Sequence, residues 1–194
     1  MAKISHLAKA PITEAIIDLR TKLPEGFESR RFETLKDTLR ETYPKVQDRW
    51  QISGKLKVMD HVPVLAETPE KEHHGLFFKT EDELNLAQFR VDGFTFNRLR
   101  PYTSWEQIFP EALRLWQLYV DVAEPEAVTR IAARYINRLS LPVSGAASRE
   151  FSYYMTAPPP VPDGLPEAVS QFLTKVVVHQ HDTGISANII MRRQ

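Results

Sequence analysis

A chain of 194 residues with 42% hydrophobic content is long enough for one sizeable core, and a single domain over 1–194, loosely halved into 1–100 and 101–194, is expected. Lysine plus arginine equals aspartate plus glutamate at 25 each, so no net field recruits nucleic acid or anionic membrane, and such binding needs a local patch. The absence of cysteine excludes disulfides, a thiolate nucleophile and cysteine-based zinc sites, which suits a reducing cytosol. Met1 to Ala10 has two lysines and no long apolar run, and no stretch reaches the roughly 18 apolar residues of a membrane span. A cytoplasmic protein without membrane contact is the expectation.

In chain order, Pro11 to Leu23 alternates Ala15, Ile17 and Leu19 against Glu14, Ile16, Asp18 and Arg20, the period of a half-buried strand. From Ser29 to Tyr43, Phe32, Leu35, Leu39 and Tyr43 fall at helical spacing, and Pro44 stops the helix. Gln51 to Asp60 alternates loosely as a strand, and Thr68 to His74, charged and holding a proline, reads as a loop. A meander of Gly75 to Thr80, Glu83 to Val91 and Phe94 to Arg100 follows, its last turn Asp92-Gly93 being a strong hairpin signal.

The second helix is expected from Ser104, with Gln107 three residues on as in a capping box and Trp105, Ile108, Phe109, Ala112, Trp116 and Tyr119 forming a wide apolar face. Pro110 lies inside the pattern and predicts a kink or a fresh start. Ala127 to Leu141 then reads as a strand, 157–166 as a stiff proline-rich connector, Pro166 to Leu173 as a short helix, and Lys175 to Gln180 with Ile185 to Met191 as a last hairpin. Hairpin connections predict an α+β fold: a curved, mainly antiparallel sheet with two main helices on one face, arranged loosely as two strand-helix-strands units.

On the Ala127 strand, Arg130, Arg134 and Arg138 recur every fourth residue, roughly 13 Å apart on one face. This row needs anions, either carboxylates of the chain itself or phosphates or carboxylates of a partner. Glu14 and Asp18 share a face of their own strand and are placed to meet Arg134 and Arg98, in which case a buried arginine-carboxylate contact holds geometry and register. The same two carboxylates are the candidates for an acid-base pair, which requires a cleft and a raised pKa. In the alternative, the row with Arg98 and Arg100 grips phosphates while Phe94, Phe96 and Tyr135 stack on bases, although Phe94 and Phe96 alternate like core residues. His179 and His181 flank one residue as two metal ligands would, without an assured third, so turn histidines are expected and no metal or other cofactor is assigned. Asp182-Thr183-Gly184 copies an aspartic-protease loop but lacks its apolar flanks and reads as a hairpin turn. Phosphate-loop and serine-hydrolase motifs are absent from the sequence.

Ala10-Pro11-Ile12-Thr13-Glu14-Ala15-Ile16, Asp92-Gly93-Phe94-Thr95-Phe96-Asn97-Arg98-Leu99 running into Pro101-Tyr102-Thr103-Ser104-Trp105, and Arg134-Tyr135-Ile136-Asn137-Arg138 together resemble a sporadically distributed, functionally uncharacterised prokaryotic protein family. The resemblance covers most of the chain. It implies no reaction, and members that continue beyond the equivalent of Gln194, so that a partner strand would add to an open edge near Ile185 to Met191. Patchy distribution implies a mobile-element, toxin-antitoxin or phage-defence setting and a partner protein. The expected function is therefore a non-enzymatic interaction module that binds a protein or a second copy of itself. Arg98, Arg130, Arg134, Arg138, Tyr135 and Asn137 are its candidate binding residues, with nucleic-acid or nucleotide binding as the alternative and an enzyme using Glu14 or Asp18 as the third reading.

Overall fold

The computed structural model describes residues 10–53, 56–59, 62–65, 70–140, 151–155, 158, 160–162, 164, 169 and 171–193. Its contacts group into two compact units, Met1–Arg138 and Leu139–Gln194. The first unit holds strand β1 (Ile12–Lys22), a 3-10 turn (Ser29–Thr34) leading into the one-turn helix α1 (Leu35–Thr38), and strands β2 (Lys45–Ser53), β3 (Leu56–Met59), β4 (Val62–Leu65), β5 (Glu70–Lys79), β6 (Asn85–Arg90) and β7 (Gly93–Leu99). Helix α2 (Trp105–Ala123) and strand β8 (Ala127–Asn137) complete it. Strands β3 and β4 form a hairpin of their own. The other six strands make one antiparallel sheet in the order β2-β5-β6-β7-β1-β8. The fold is α+β, as the hairpin-rich sequence predicts.

Period-two alternation along each strand gives the sheet two unlike faces. One face carries Ala15, Ile17, Leu76, Phe78, Ala87, Phe89, Phe94 and Phe96, all buried against Phe32, Leu35 and Leu39 of the first helical segment and Ile108, Leu115 and Tyr119 of α2. The other carries the polar partners in those alternations and forms the candidate site. Aromatic rings knit the core together: the Tyr119 ring stacks on Phe32 with centroids 5.5 Å apart, and its hydroxyl donates to the Arg90 carbonyl at 3.0 Å.

Three local expectations are corrected. The 29–43 stretch is a 3-10 segment followed by a single α-turn, not one long helix; its apolar residues are still buried, because 3-10 and α turns both bring every third or fourth residue to one side. Residues 70–74, expected in a loop, belong to β5, since Glu70, Lys71 and Glu72 extend the pairing with β2 where charged side chains reach water. The second strand begins at Lys45, not Gln51. Helix α2 runs from Trp105 through Pro110 as one element; the lost amide bond is offset by the buried stripe Ile108, Ala112, Leu115, Tyr119 and Ala123. Ser104 is its N-cap residue but makes no side-chain capping bond, and Thr103 Oγ1 instead meets Gln107 Oε1.

The second unit contains the hairpin of β9 (Phe172–Gln180) and β10 (Ile185–Arg193), closed by a turn with Gly184 at φ +67°. The connector at 157–166 and most of the expected Pro166 to Leu173 helix lie outside the described residues; Phe172 and Leu173 themselves open β9. No helix among the described residues is long and apolar enough to cross a membrane.

Candidate functional site

The polar face of the sheet is built around Asp18, in the middle of β1 and 8% exposed. Directly opposite residues of an antiparallel pair share a face. Asp18 stands opposite Thr95 on β7 and Ala132 on β8, and one step along the strands Arg20 stands opposite Gly93 and Arg130. Its Oδ1 accepts from Thr95 Oγ1 at 2.8 Å and Arg90 Nη2 at 3.2 Å, while Oδ2 accepts from Arg130 Nη2 at 2.7 Å and lies 3.5 Å from Arg20 Nε. Burial pushes the Asp18 carboxyl up, but the Thr95 hydrogen bond and the Arg90 and Arg20 charges outweigh it and hold the pKa below the usual carboxylate value.

Asp92, in the β6–β7 turn, is the second anion of the cluster. It pairs with Arg20, lies 3.1 Å from Arg90 Nε, and accepts from His74 Nε2 at 3.1 Å. A register shift between Arg49 and Trp50 in the β2–β5 pairing leaves His74 unpaired in the ladder and frees it to turn toward Asp92. Burial, then the charges of Arg49 and Arg90, push the His74 pKa below its ordinary value. The ring is therefore neutral at pH 7 and its Nε2–H donates to the carboxylate.

Farther along the face, Glu14 Oε1 accepts from Asn97 Nδ2 at 2.5 Å, and Arg49 Nη1 donates to Gln88 Oε1 at 2.6 Å. Glu14 and Asp18 share a face, but each is engaged by different groups. Asp18 lacks the raised pKa that a general acid requires.

The expected arginine row divides. Arg130 is tied to Asp18, whereas the exposed Arg134 and Arg138 side chains have no ion-pair or hydrogen-bond partner among the described residues. Arg98, expected beside the row, lies on the opposite face, because its partner Ala15 belongs to the core. There it donates from Nη1 to Asn85 Oδ1 at 3.1 Å and from Nε to the Pro101 carbonyl at 3.2 Å. Tyr135 and Asn137 also alternate away from the row; the Tyr135 ring meets Tyr102 edge-on at 5.7 Å. Phe94 and Phe96 are core residues and present no surface to a base. His179 and His181 stack with ring centroids 6.5 Å apart, with His179 Nδ1 2.8 Å from Ser186 Oγ, and no metal-holding cluster occurs among the described residues.

Arg20, Arg49, Arg90 and Asp92 are the site residues that sequence reasoning missed. Arg20, Arg90 and Asp92 sit on predicted strands or turns, whereas Arg49 lies before the predicted start of its strand at Gln51, and the meeting of all four depends on which strands are neighbours. The only local signal was Asp92-Gly93, read for its turn and not for its carboxylate.

Strand β8 is the other unusual element. It lies at the sheet edge with Ile131 72% exposed and Tyr135 and Ile136 each 41% exposed, so neither face is covered along most of its eleven residues. Protein-family models, curated proteins and solved structures were compared with the chain, and nothing matches.

Proposed function

We propose that this protein is a non-enzymatic interaction module whose β8 edge accepts an extended strand of a partner protein. The observation that carries the reading is the eleven-residue outer edge of β8, unpaired among the described residues and flanked by exposed apolar side chains. Such an edge offers a ladder of free amides and carbonyls, and soluble proteins ordinarily shorten, cover or charge it.

Side-chain chemistry selects the partner. Arg130 and Arg134 line one face, with Arg138 one residue past the strand's end, and Ile131, Ala133 and Tyr135 line the other. A second copy added about a twofold axis normal to the sheet would keep faces matched and lay its arginine row along this one, a like-charge arrangement that opposes pairing. A strand alternating Asp or Glu with Val or Ile would meet arginines on one side and apolar residues on the other.

The test is titration of the full chain with a labelled nine-residue peptide alternating Glu and Val, against one alternating Lys and Val. Binding of the acidic peptide only, with the preference reversed by Arg134→Glu and lost in Ile131→Lys, is expected. Equal binding of both peptides, or none, overturns the proposal. Salt-sensitive binding of single-stranded oligonucleotide that Arg134→Gln abolishes would instead assign the row to nucleic acid.

A further inference from the structure

A second arginine row crosses the sheet at right angles to the strands, and the pairing register defines it residue by residue. Arg49 of β2 stands opposite Gly75 of β5, Gly75 opposite Arg90 of β6, Arg90 opposite Gly93 of β7, Gly93 opposite Arg20 of β1, and Arg20 opposite Arg130 of β8. The two glycines leave bare positions in the side-chain layer. Their conformations, φ +142° and +143°, belong to glycine, and a Cβ built on either collides with a neighbouring carbonyl oxygen.

Four guanidiniums in this row face two carboxylates of the chain, Asp18 and Asp92, and the carboxylates are not evenly placed. Arg20, Arg90 and Arg130 share Asp18, and Arg20 and Arg90 share Asp92. Among the described residues Arg49 has only the neutral amide oxygen of Gln88 as a partner. The Arg90 side chain is 6% exposed, and its Nε, though 3.1 Å from Asp92 Oδ1, is too poorly aligned to hydrogen-bond and has no other partner. Arg49, without a carboxylate among the described residues, and Arg90, with its Nε donor unspent, thus flank bare Gly75 at the end of the row where positive charge is in excess. Burial first, and the Arg49 charge as a smaller contribution, push both Arg90 and His74 toward the uncharged form.

We infer that the Arg49–Gly75–Arg90 segment of the polar face is an anion site that takes the phosphate of a phosphate monoester. A dianion matches the excess of two positive charges that the four guanidiniums of the row hold over their two carboxylates, and phosphate offers the oxygens that arginines bind in forked geometry. Arg20, at the rim of the same network with a side chain 38% exposed, is placed to make a further contact. Asp92, with 42% of its side chain exposed, bounds the site as a carboxylate, so the anion seats toward Arg49. This site lies on β2, β5 and β6, away from the outer edge of β8, and stands or falls independently of the strand-binding proposal.

Calorimetric titration of the full chain with inorganic phosphate, O-phosphoserine and adenosine monophosphate, with sulfate as control, tests it. Saturable binding of at least one phosphate compound is expected, with sulfate weaker. Arg49→Gln should weaken it at least about tenfold, the loss of one charged contact, while Arg134→Gln leaves it unchanged. Arg49 makes no ion pair among the described residues, so Arg49→Gln should shift the unfolding temperature by no more than an ordinary surface substitution, and this separates loss of the site from loss of structure. Tighter binding of the serine ester than of the nucleotide identifies a phosphorylated side chain as the source, and the reverse order a nucleotide. No binding, sulfate binding as tight as phosphate, or affinity unaffected by Arg49→Gln overturns the inference.

Discussion

Arg130 Nη2 donates to Asp18 Oδ2 at 2.7 Å across 112 residues of sequence, joining β8 to the neighbouring strand β1 on the polar face. The two ends of this bond are unequal. The Asp18 side chain is 12% exposed and serves three guanidiniums, whereas the Arg130 side chain is 54% exposed.

Asp18→Asn should therefore destabilise the fold by about 3 kcal/mol, because it removes the more buried of the two anions that face the buried Arg90 charge. Arg130→Gln should cost about 0.5 kcal/mol, since water already screens that partner. Urea unfolding of both variants measures the difference; equal effects would mean that Asp18 does not anchor the buried charge.

Arg134→Gln should leave stability within about 0.5 kcal/mol of the parent chain, because its guanidinium has no partner among the described residues. The same substitution should weaken binding of the acidic strand peptide. A large fall in unfolding temperature would place Arg134 in the framework and remove it from the proposed interface.

The pH dependence of stability has two windows. His74 binds its proton less readily folded than at its ordinary value of 6.5, so the unfolded chain takes up more protons as pH falls through 6.5, and stability decreases from there toward the lower folded value. Asp18 is also depressed, so its contribution is complete above 3.8 and is lost as pH falls below that value and through its folded pKa. Unfolding free energies measured from pH 7.5 to 3 should show both declines, and His74→Gln should remove only the upper one. An unchanged upper limb in His74→Gln would show that another group titrates there.

Gly93→Ala should destabilise severely, by about 3 kcal/mol or more. The residue combines φ +143° with a direction in which a methyl group would collide with the Leu19 carbonyl oxygen, so both backbone strain and steric overlap oppose the substitution. Thermal unfolding by circular dichroism would detect it. A shift no larger than that of an ordinary surface substitution would show that β1 and β7 can separate locally without loss of the sheet.

Much of the fold was legible because its signals are local. Alternation along 12–22 marked β1 and its polar side, Asp92-Gly93 marked the β6–β7 turn, and the apolar spacing from Trp105 to Tyr119 marked Ile108, Ala112 and Tyr119 on the buried face of α2, though it also took in Phe109, which is exposed, and left out the buried Leu115. Helical spacing at 29–43 correctly named Phe32, Leu35, Leu39 and Tyr43 as buried, but not the type of turn, because 3-10 and α geometries share that spacing.

By itself, then, the sequence determined which residues lie together on one face of each strand: Arg130 with Arg134, and Glu14 with Asp18. Tertiary structure alone decided that Asp18 faces Arg130, Arg90 and Arg20, that Arg98 lies on the other side of the sheet, and that Arg49 and Arg90 flank a bare glycine. The physical reason is that side-chain alternation is a property of one strand's backbone, whereas strand order and register are set by pairings between segments far apart in the chain.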